Sequence, residues 1–213
     1  PILQRLVDNP APVQPSNARV LILTPTRELA AQVASNINDF AKYLDITTLT
    51  IVGGGKQDVQ AKKLKAGAHI IVATPGRLLE HLTACNLSLS GVETLVLDEA
   101  DRILDMGFSA DVQQILQAVS KTRQNLLFSA TFSDAVKKLA NLMLDRPQII
   151  SVNKQNSTAD TVSHTVYPVE QKRKRELLSE LIGKQNWQQV LVFASTRESC
   201  DVLVEELNLD GIK

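Results

Sequence analysis

The chain has 213 residues, 44% apolar and 22% charged, ordinary for a folded globular protein and unlike a disordered one. Its 23 basic side chains (Lys and Arg) balance 23 acidic ones, so no global positive field draws in a polyanion and any phosphate contact has to be local. Aromatics at 4% disfavour a module that stacks bases on rings, two cysteines exclude a disulfide framework or a zinc site, and no apolar run nears the ~20 residues of a membrane span.

In chain order, RVLILT (19–24) is a short β-branched run, the pattern of a parallel strand buried on both faces. PTRELAAQVASNINDFAKYL follows, with Leu29, Val33, Ile37, Phe40 and Leu44 at helical spacing, which predicts one apolar stripe. Then come a strand at 46–52, a helix at 56–67 ending on Gly67, a strand at 69–74 and a helix at 76–85. A strand at 93–98 precedes a helix at 109–120, with Val112, Ile115, Leu116 and Val119 on one side. A strand at 124–130, a helix at 134–144 and a strand at 148–152 complete the first unit. Six strands separated mostly by helices predict an open, mainly parallel α/β sheet with helices on both faces.

NKQNSTADT (153–161) has a single apolar residue and reads as a linker. Beyond it the expectation is a strand at 164–169, a helix at 171–184, a strand at 189–195 and a helix at 197–208. That is the opening of a second α/β unit, with too few strands to bury both faces of its own sheet. Cys200 shares a stripe with Leu203, Val204 and Leu207 and is expected in the core. The chain opens on Pro1 without a methionine and reads as a cut fragment, so a missing leader carries no weight.

In such sheets ligands bind beyond the carboxyl ends of the strands. The unusual residues sit there: Pro25-Thr26-Arg27, Gly53-Gly54, Thr74-Pro75-Gly76-Arg77, Asp98-Glu99 and Ser129-Ala130-Thr131. The strand residues Thr94-Leu95-Val96-Leu97 followed by Asp98-Glu99 form a Walker B pattern. A strand end holds Asp98 rigidly where it can bind Mg²⁺ directly or through water, and Glu99 can orient or deprotonate an attacking water. Taken alone, the same residues read equally as acids opening a helix. The helix starts at 25–27 and 74–77 can bind phosphate through backbone N–H groups and Arg side chains, and the glycine pair allows close approach. Each also reads as a cap or a tight turn.

A G-x-x-x-x-G-K-[ST] phosphate loop is not present in the 213 residues. Gly55-Lys56 is followed by Gln57, with Thr50 where the first glycine should stand, and Gly183-Lys184 is followed by Gln185. Either the carboxylates are not nucleotide ligands, or the loop precedes residue 1.

DEAD at 98–101, SAT at 129–131, PTRELA at 25–30, GG at 53–54 and TPGR at 74–77, in that spacing, resemble the DEAD-box ATP-dependent RNA helicases, in their bacterial RhlE-like form. DEADRILDMGF is itself typical of that family. The resemblance covers essentially the whole chain. It implies a first RecA-like domain over 1–152, the linker, and the beginning of a second RecA-like domain over 162–213. It places the family's adenine motif and phosphate loop upstream of Pro1, and its arginine finger beyond Lys213. Val52 departs from the aromatic that often precedes the glycine pair.

The resemblance also implies ATP and Mg²⁺ as cofactors. Asp98 would help hold the metal through water, and Glu99 would position the hydrolytic water. Asp101 would accept hydrogen bonds from Ser129 and Thr131 and so couple ATP state to domain closure. Pro25, Thr26, Arg27, Gly53, Gly54, Thr74, Pro75, Gly76 and Arg77 would contact RNA backbone, joined by Phe193 and Thr196 from the family's fourth motif. The basic run at 171–176 reads as a solvated helix start. His69, His81 and His164 show no ligand spacing and are assigned no chemistry.

The function so implied is RNA-stimulated ATP hydrolysis coupled to local separation of short RNA duplexes, with little sequence preference. A cytoplasmic setting and partners in ribosome assembly or RNA decay go with it, and the 213-residue piece itself is expected to be inactive. Two alternatives stand beside it: a DNA-directed helicase of the same superfamily, and an RNA-binding or regulatory relic without ATPase activity.

Overall fold

The structure, a computed structural model, describes residues 1–151 and 162–212, and the linker expected at 153–161 lies outside the described residues. The chain divides into two compact units, Pro1–Asn156 and Ser157–Lys213.

The first unit begins with α1 (Ile2–Asp8), β1 (Ala18–Leu23), α2 (Arg27–Phe40), β2 (Thr48–Ile51), α3 (Gln57–Ala66) and β3 (Ala68–Ala73). It continues with α4 (Pro75–Thr83), β4 (Thr94–Leu97), α5 (Ala100–Asp105), α6 (Ser109–Ala118), β5 (Gln124–Leu127) and α7 (Asp134–Met143). The five strands lie in the order β2-β3-β1-β4-β5, and every pairing is parallel. Central β1 pairs Leu21 with Ile71 on one side and with Leu95 on the other. After β3 the chain crosses β1 to form β4, so the strand order reverses there. A crevice at the strand ends is expected at such a reversal.

The inner strands β1, β3 and β4 are mostly apolar because each face of the sheet has its own core. Leu21, Leu23, Ile71, Leu95 and Leu97 pack with Leu64, Leu78, Ile103, Ile115 and Leu139 of the helices α3 to α7. Val20, Ile22, Ile70, Val72 and Val96 pack with Leu6 of α1 and with Ala30 and Ala34 of α2. A strand buried on both faces has no polar side to alternate with.

Helix α2 corrects one expectation. It ends at Phe40, which is 80% exposed, and Leu44 is exposed as well. The residues it buries are Ala30 and Ala34, flanked by the half-buried Leu29, Val33 and Ile37. Small side chains let a helix lie close to a sheet, so the contact line runs along the alanines and the large stripe residues beside it stay partly wet.

The strand expected at 148–152 is not formed over the described residues 148–151, and Ile149 and Ile150 are exposed. The second unit likewise shows no strand at 164–169 or 189–195 among the described residues. It consists of a short 3₁₀ turn (Gln171–Arg173), α8 (Lys174–Gln185) and α9 (Arg197–Leu209). A strand needs a hydrogen-bonded neighbour, and an isolated pair is marginal at best. Cys200 is exposed rather than in a core. The two helices meet through Asp210, which accepts from Arg175 Nη1 at 2.6 Å and from the Ser179 hydroxyl at 2.5 Å.

Candidate functional site

The carboxyl ends of β1 to β5 carry nearly all the residues singled out in the sequence. At the end of β4 the ladder continues for one residue: the Asp98 N–H donates to Leu23 O at 2.9 Å, and Phe128 N–H donates to Leu97 O at 2.8 Å. Ala100 N–H then donates to Phe128 O at 2.9 Å. Asp98 is thereby fixed between the ends of β1 and β5. Glu99 turns the chain sharply into α5 with φ 49° and ψ 54°, a left-handed conformation that costs a non-glycine residue roughly 1–3 kcal/mol. The turn sends the two carboxylates apart. Asp98 Oδ1 accepts the Glu99 N–H at 3.0 Å, while the Glu99 carboxylate accepts from Arg102 Nη1 at 2.9 Å.

Asp98 is half-buried, and burial pushes its carboxyl above the usual range; the Glu99 N–H works against this, and the negative charge of Glu99 adds to it. A partly desolvated carboxylate of this kind gains from a nearby cation. No group of three or more His, Cys, Asp or Glu able to hold a metal occurs among the described residues. A single half-buried carboxylate at a strand end is a hard oxygen donor of the kind that shares an ion with water and phosphate oxygens.

One turn further on, Asp101 reaches across to the end of β5. Its Oδ2 accepts from Thr131 N–H at 3.0 Å and from the Thr131 hydroxyl at 2.9 Å. Ser129 bonds differently from the sequence expectation. Its Oγ accepts the Asp101 N–H at 3.3 Å and donates to Thr131 O at 2.8 Å, so it serves backbone groups on both sides. Burial pushes the Asp101 carboxyl up. The hydroxyl and N–H of Thr131, the N–H of Arg102 and the nearby Ser129 hydroxyl outweigh it, and the net direction is down.

The ends of β1, β2 and β3 form a separate cradle. Thr26 caps α2 by accepting Leu29 N–H at 3.2 Å, and Pro25 is buried behind it. Thr74 is buried and precedes Pro75, which occupies the first turn of α4 where no N–H is needed. Exposed Arg27 lies over the glycine pair. Gly54 has φ 84°, and a β-carbon there would run into the Arg27 guanidinium. From the other side Arg77 Nη1 donates to Gly55 O at 3.3 Å, while Arg77 Nε lies 3.1 Å from Glu80 Oε2 in an ion pair. Gly76 has no comparable steric need, since a β-carbon would meet only ordinary contacts with Asp111 and Phe108. Two arginines and a glycine loop thus converge at one rim of the sheet.

Beneath this rim lie Gln60, which the sequence did not single out, and His81, to which it assigned no chemistry. His81 on α4 is 0% exposed, with Nε2 3.0 Å from Gln60 Oε1 and Nδ1 3.3 Å from Asn86 Nδ2. Gln60 Nε2 in turn donates to Val52 O at 2.8 Å. A lone histidine with partners 21 positions before it and 5 after it leaves no pattern in the sequence.

Phe193 and Thr196 belong to the second unit. Thr196 caps α9 by accepting Ser199 N–H at 3.1 Å, and Phe193 is 88% exposed and outside any strand.

The family model described as DEAD/DEAH box helicase matches residues 1–139. A relative named ATP-dependent RNA helicase RhlB, from Pseudomonas aeruginosa (strain UCBPP-PA14), is 41% identical over 216 residues, covering 99% of this chain and 54% of the relative. A DEAD-box ATP-dependent RNA helicase CshA from Bacillus cereus (strain ATCC 10987 / NRS 248) is 40% identical over 191 residues, covering 90% of this chain and 36% of the relative. The crystal structure of the yeast DEAD-box splicing factor Prp28 aligns with a TM-score of 0.68 and 28% identity, over 98% of this chain and 49% of that one. The chain spans about half the length of the RhlB relative it matches. No helix among the described residues is long and apolar enough to cross a membrane.

Proposed function

This chain belongs to the DEAD/DEAH box helicase family, and from that premise we propose that the protein couples RNA-stimulated ATP hydrolysis to local separation of short RNA duplexes. One observation carries this reading. The acidic corner at Asp98-Glu99 and the arginine–glycine cradle at Arg27, Gly53-Gly54 and Arg77 stand at the same end of one rigid parallel sheet. Chemistry on a triphosphate and a grip on a polynucleotide can then report to each other through the packed strand ends of one sheet.

In this reading Asp98 would help hold Mg²⁺, which when bound would supply positive charge to offset that of the phosphate oxygens. Glu99 orients the attacking water and takes its proton. Asp101 and Thr131 bridge the helix after β4 to the end of β5, so a shift at Asp98 is passed to the neighbouring strand end. Backbone N–H groups at the starts of α2 and α4, with Arg27 and Arg77, take RNA phosphates and no base edges, so sequence preference is weak. Phe193 and Thr196 add contacts from the second unit. The surroundings are cytoplasmic, and the partners belong to ribosome assembly or RNA decay.

The test is Glu99→Gln in the full-length protein. Turnover should fall by two to four orders of magnitude, about the size of a general-base contribution, while ATP and RNA still bind. Loss of binding together with turnover would make Glu99 a structural residue. Comparing RNA with DNA duplexes in the same unwinding assay decides between this enzyme and a DNA-directed relative.

A further inference from the structure

We propose that Gln60 and His81 are positioning residues that set the height and shape of the Val52–Gly55 loop, and thereby the affinity of the cradle for an RNA phosphate. The inference rests on the proposed function, because it assigns that loop to RNA.

The loop is held at both ends by side chains. Gln60 Nε2 donates to Val52 O at 2.8 Å on one side of the glycine pair, and Arg77 Nη1 donates to Gly55 O at 3.3 Å on the other. Gln60 lies in α3 and Arg77 in α4, so the loop is tied to both helices. A free glutamine would rotate its amide and share it with solvent. Here the amide is oriented from behind. His81 Nε2–H donates to Gln60 Oε1, which fixes the Nε2 end of that amide toward Val52 O.

The histidine is oriented in its turn. Asn86 Nδ2 donates to His81 Nδ1, and Asn86 N–H donates to His81 O at 2.9 Å, closing the turn after α4. With Nδ1 accepting, the ring must carry its proton on Nε2, the tautomer that Gln60 requires. Burial lowers the proton affinity of His81, the Arg77 charge lowers it further, and Glu80 opposes them. The neutral ring is thereby favoured. The chain Asn86, His81, Gln60, Val52 O runs from the buried face of α4 to the residue before Gly53. A one-bond error anywhere along it arrives at the loop as a misplaced carbonyl. Arg27 lies over the same loop, its guanidinium against Gly53 and Gly54.

The experiment uses the full-length protein with Gln60→Leu, which keeps the bulk and removes both hydrogen bonds, and His81→Phe as a second variant. The readouts are kcat, KM for ATP and KM for a single-stranded RNA 10-mer in the ATPase reaction, with Tm recorded alongside. For Gln60→Leu the KM for RNA should rise roughly threefold to tenfold, the size of one or two lost hydrogen bonds, with kcat and the KM for ATP unchanged. The double variant should be no worse than the worse single one, because the two residues act in series. An unchanged KM for RNA in a folded Gln60→Leu protein overturns the inference. So does a parallel rise in both KM values, which means general loosening. If His81→Phe does not fold, Gln60→Leu alone still decides. Wild-type protein without any RNA-stimulated turnover would instead defeat the proposed function, and the inference with it.

Discussion

At the residue scale, Asp98 and Asp101 lie three positions apart and are pushed in opposite directions. A carboxyl raised in the folded state binds its proton more tightly folded than unfolded. Folding therefore loses stability as pH rises through the unfolded and then the folded pKa, and the full penalty is present above the folded one. Asp98→Asn removes that penalty. Thermal melts should give the variant a higher Tm than wild type at neutral pH, with ATPase activity of the full-length protein abolished. The gap should close as pH falls below the ordinary carboxylate range. A gap that is absent or reversed at neutral pH would mean Asp98 is already compensated by groups of its own. The sequence made this corner visible because Leu95, Val96 and Leu97 run directly into two acids at a strand end. It left Gln60 and His81 invisible, since their meaning exists only once β2 and β3 bring α3 and α4 side by side.

At the element scale, α4 does more than cover the sheet. It carries Pro75, Gly76 and Arg77 at its start and His81 near its end, and it is seated by Leu78, which is fully buried. Leu78→Ala should destabilise the first unit by about 2–5 kcal/mol, read as a shift of the urea midpoint with little change in slope. A loss under 1 kcal/mol would mean the site collapses around the gap. The elements of the first unit were legible where one strand supplies its own evidence: β1, β3 and β4 each carry an apolar run of three or more residues, as burial on both faces demands. Helix α2 was legible as a helix but not in its facing, because alanines pack against the sheet without standing out as hydrophobic. Strands at 148–152, 164–169 and 189–195 have the right composition, but composition cannot supply the neighbour that a ladder needs.

At the scale of the whole molecule, zero net charge and two arginines at the cradle predict a shallow salt dependence. With two phosphates neutralised by Arg27 and Arg77, log K for single-stranded RNA should fall with log salt at a slope near −1.4, from about −0.7 per contact. Fluorescence anisotropy between 50 and 300 mM salt, roughly the range where such slopes are read, checks it. A slope steeper than about −4 would require a basic surface elsewhere, with the 171–176 run the first place to look. Without a global field to steer association, the RNA contact proposed above would have to form at short range, which suits a footprint built on backbone geometry.

The ion pair between Glu99 and Arg102 has a bearing on how readily such an enzyme could start a cycle. The acid is parked against its own helix by a tether that is open to water, with the arginine end 59% exposed. Exposed pairs of this sort are worth about 0–1 kcal/mol. Releasing Glu99 for its proposed duty therefore asks for no more than ordinary thermal jostling, and what decides the moment of firing has to be the arrival of substrate rather than the unlocking of the acid.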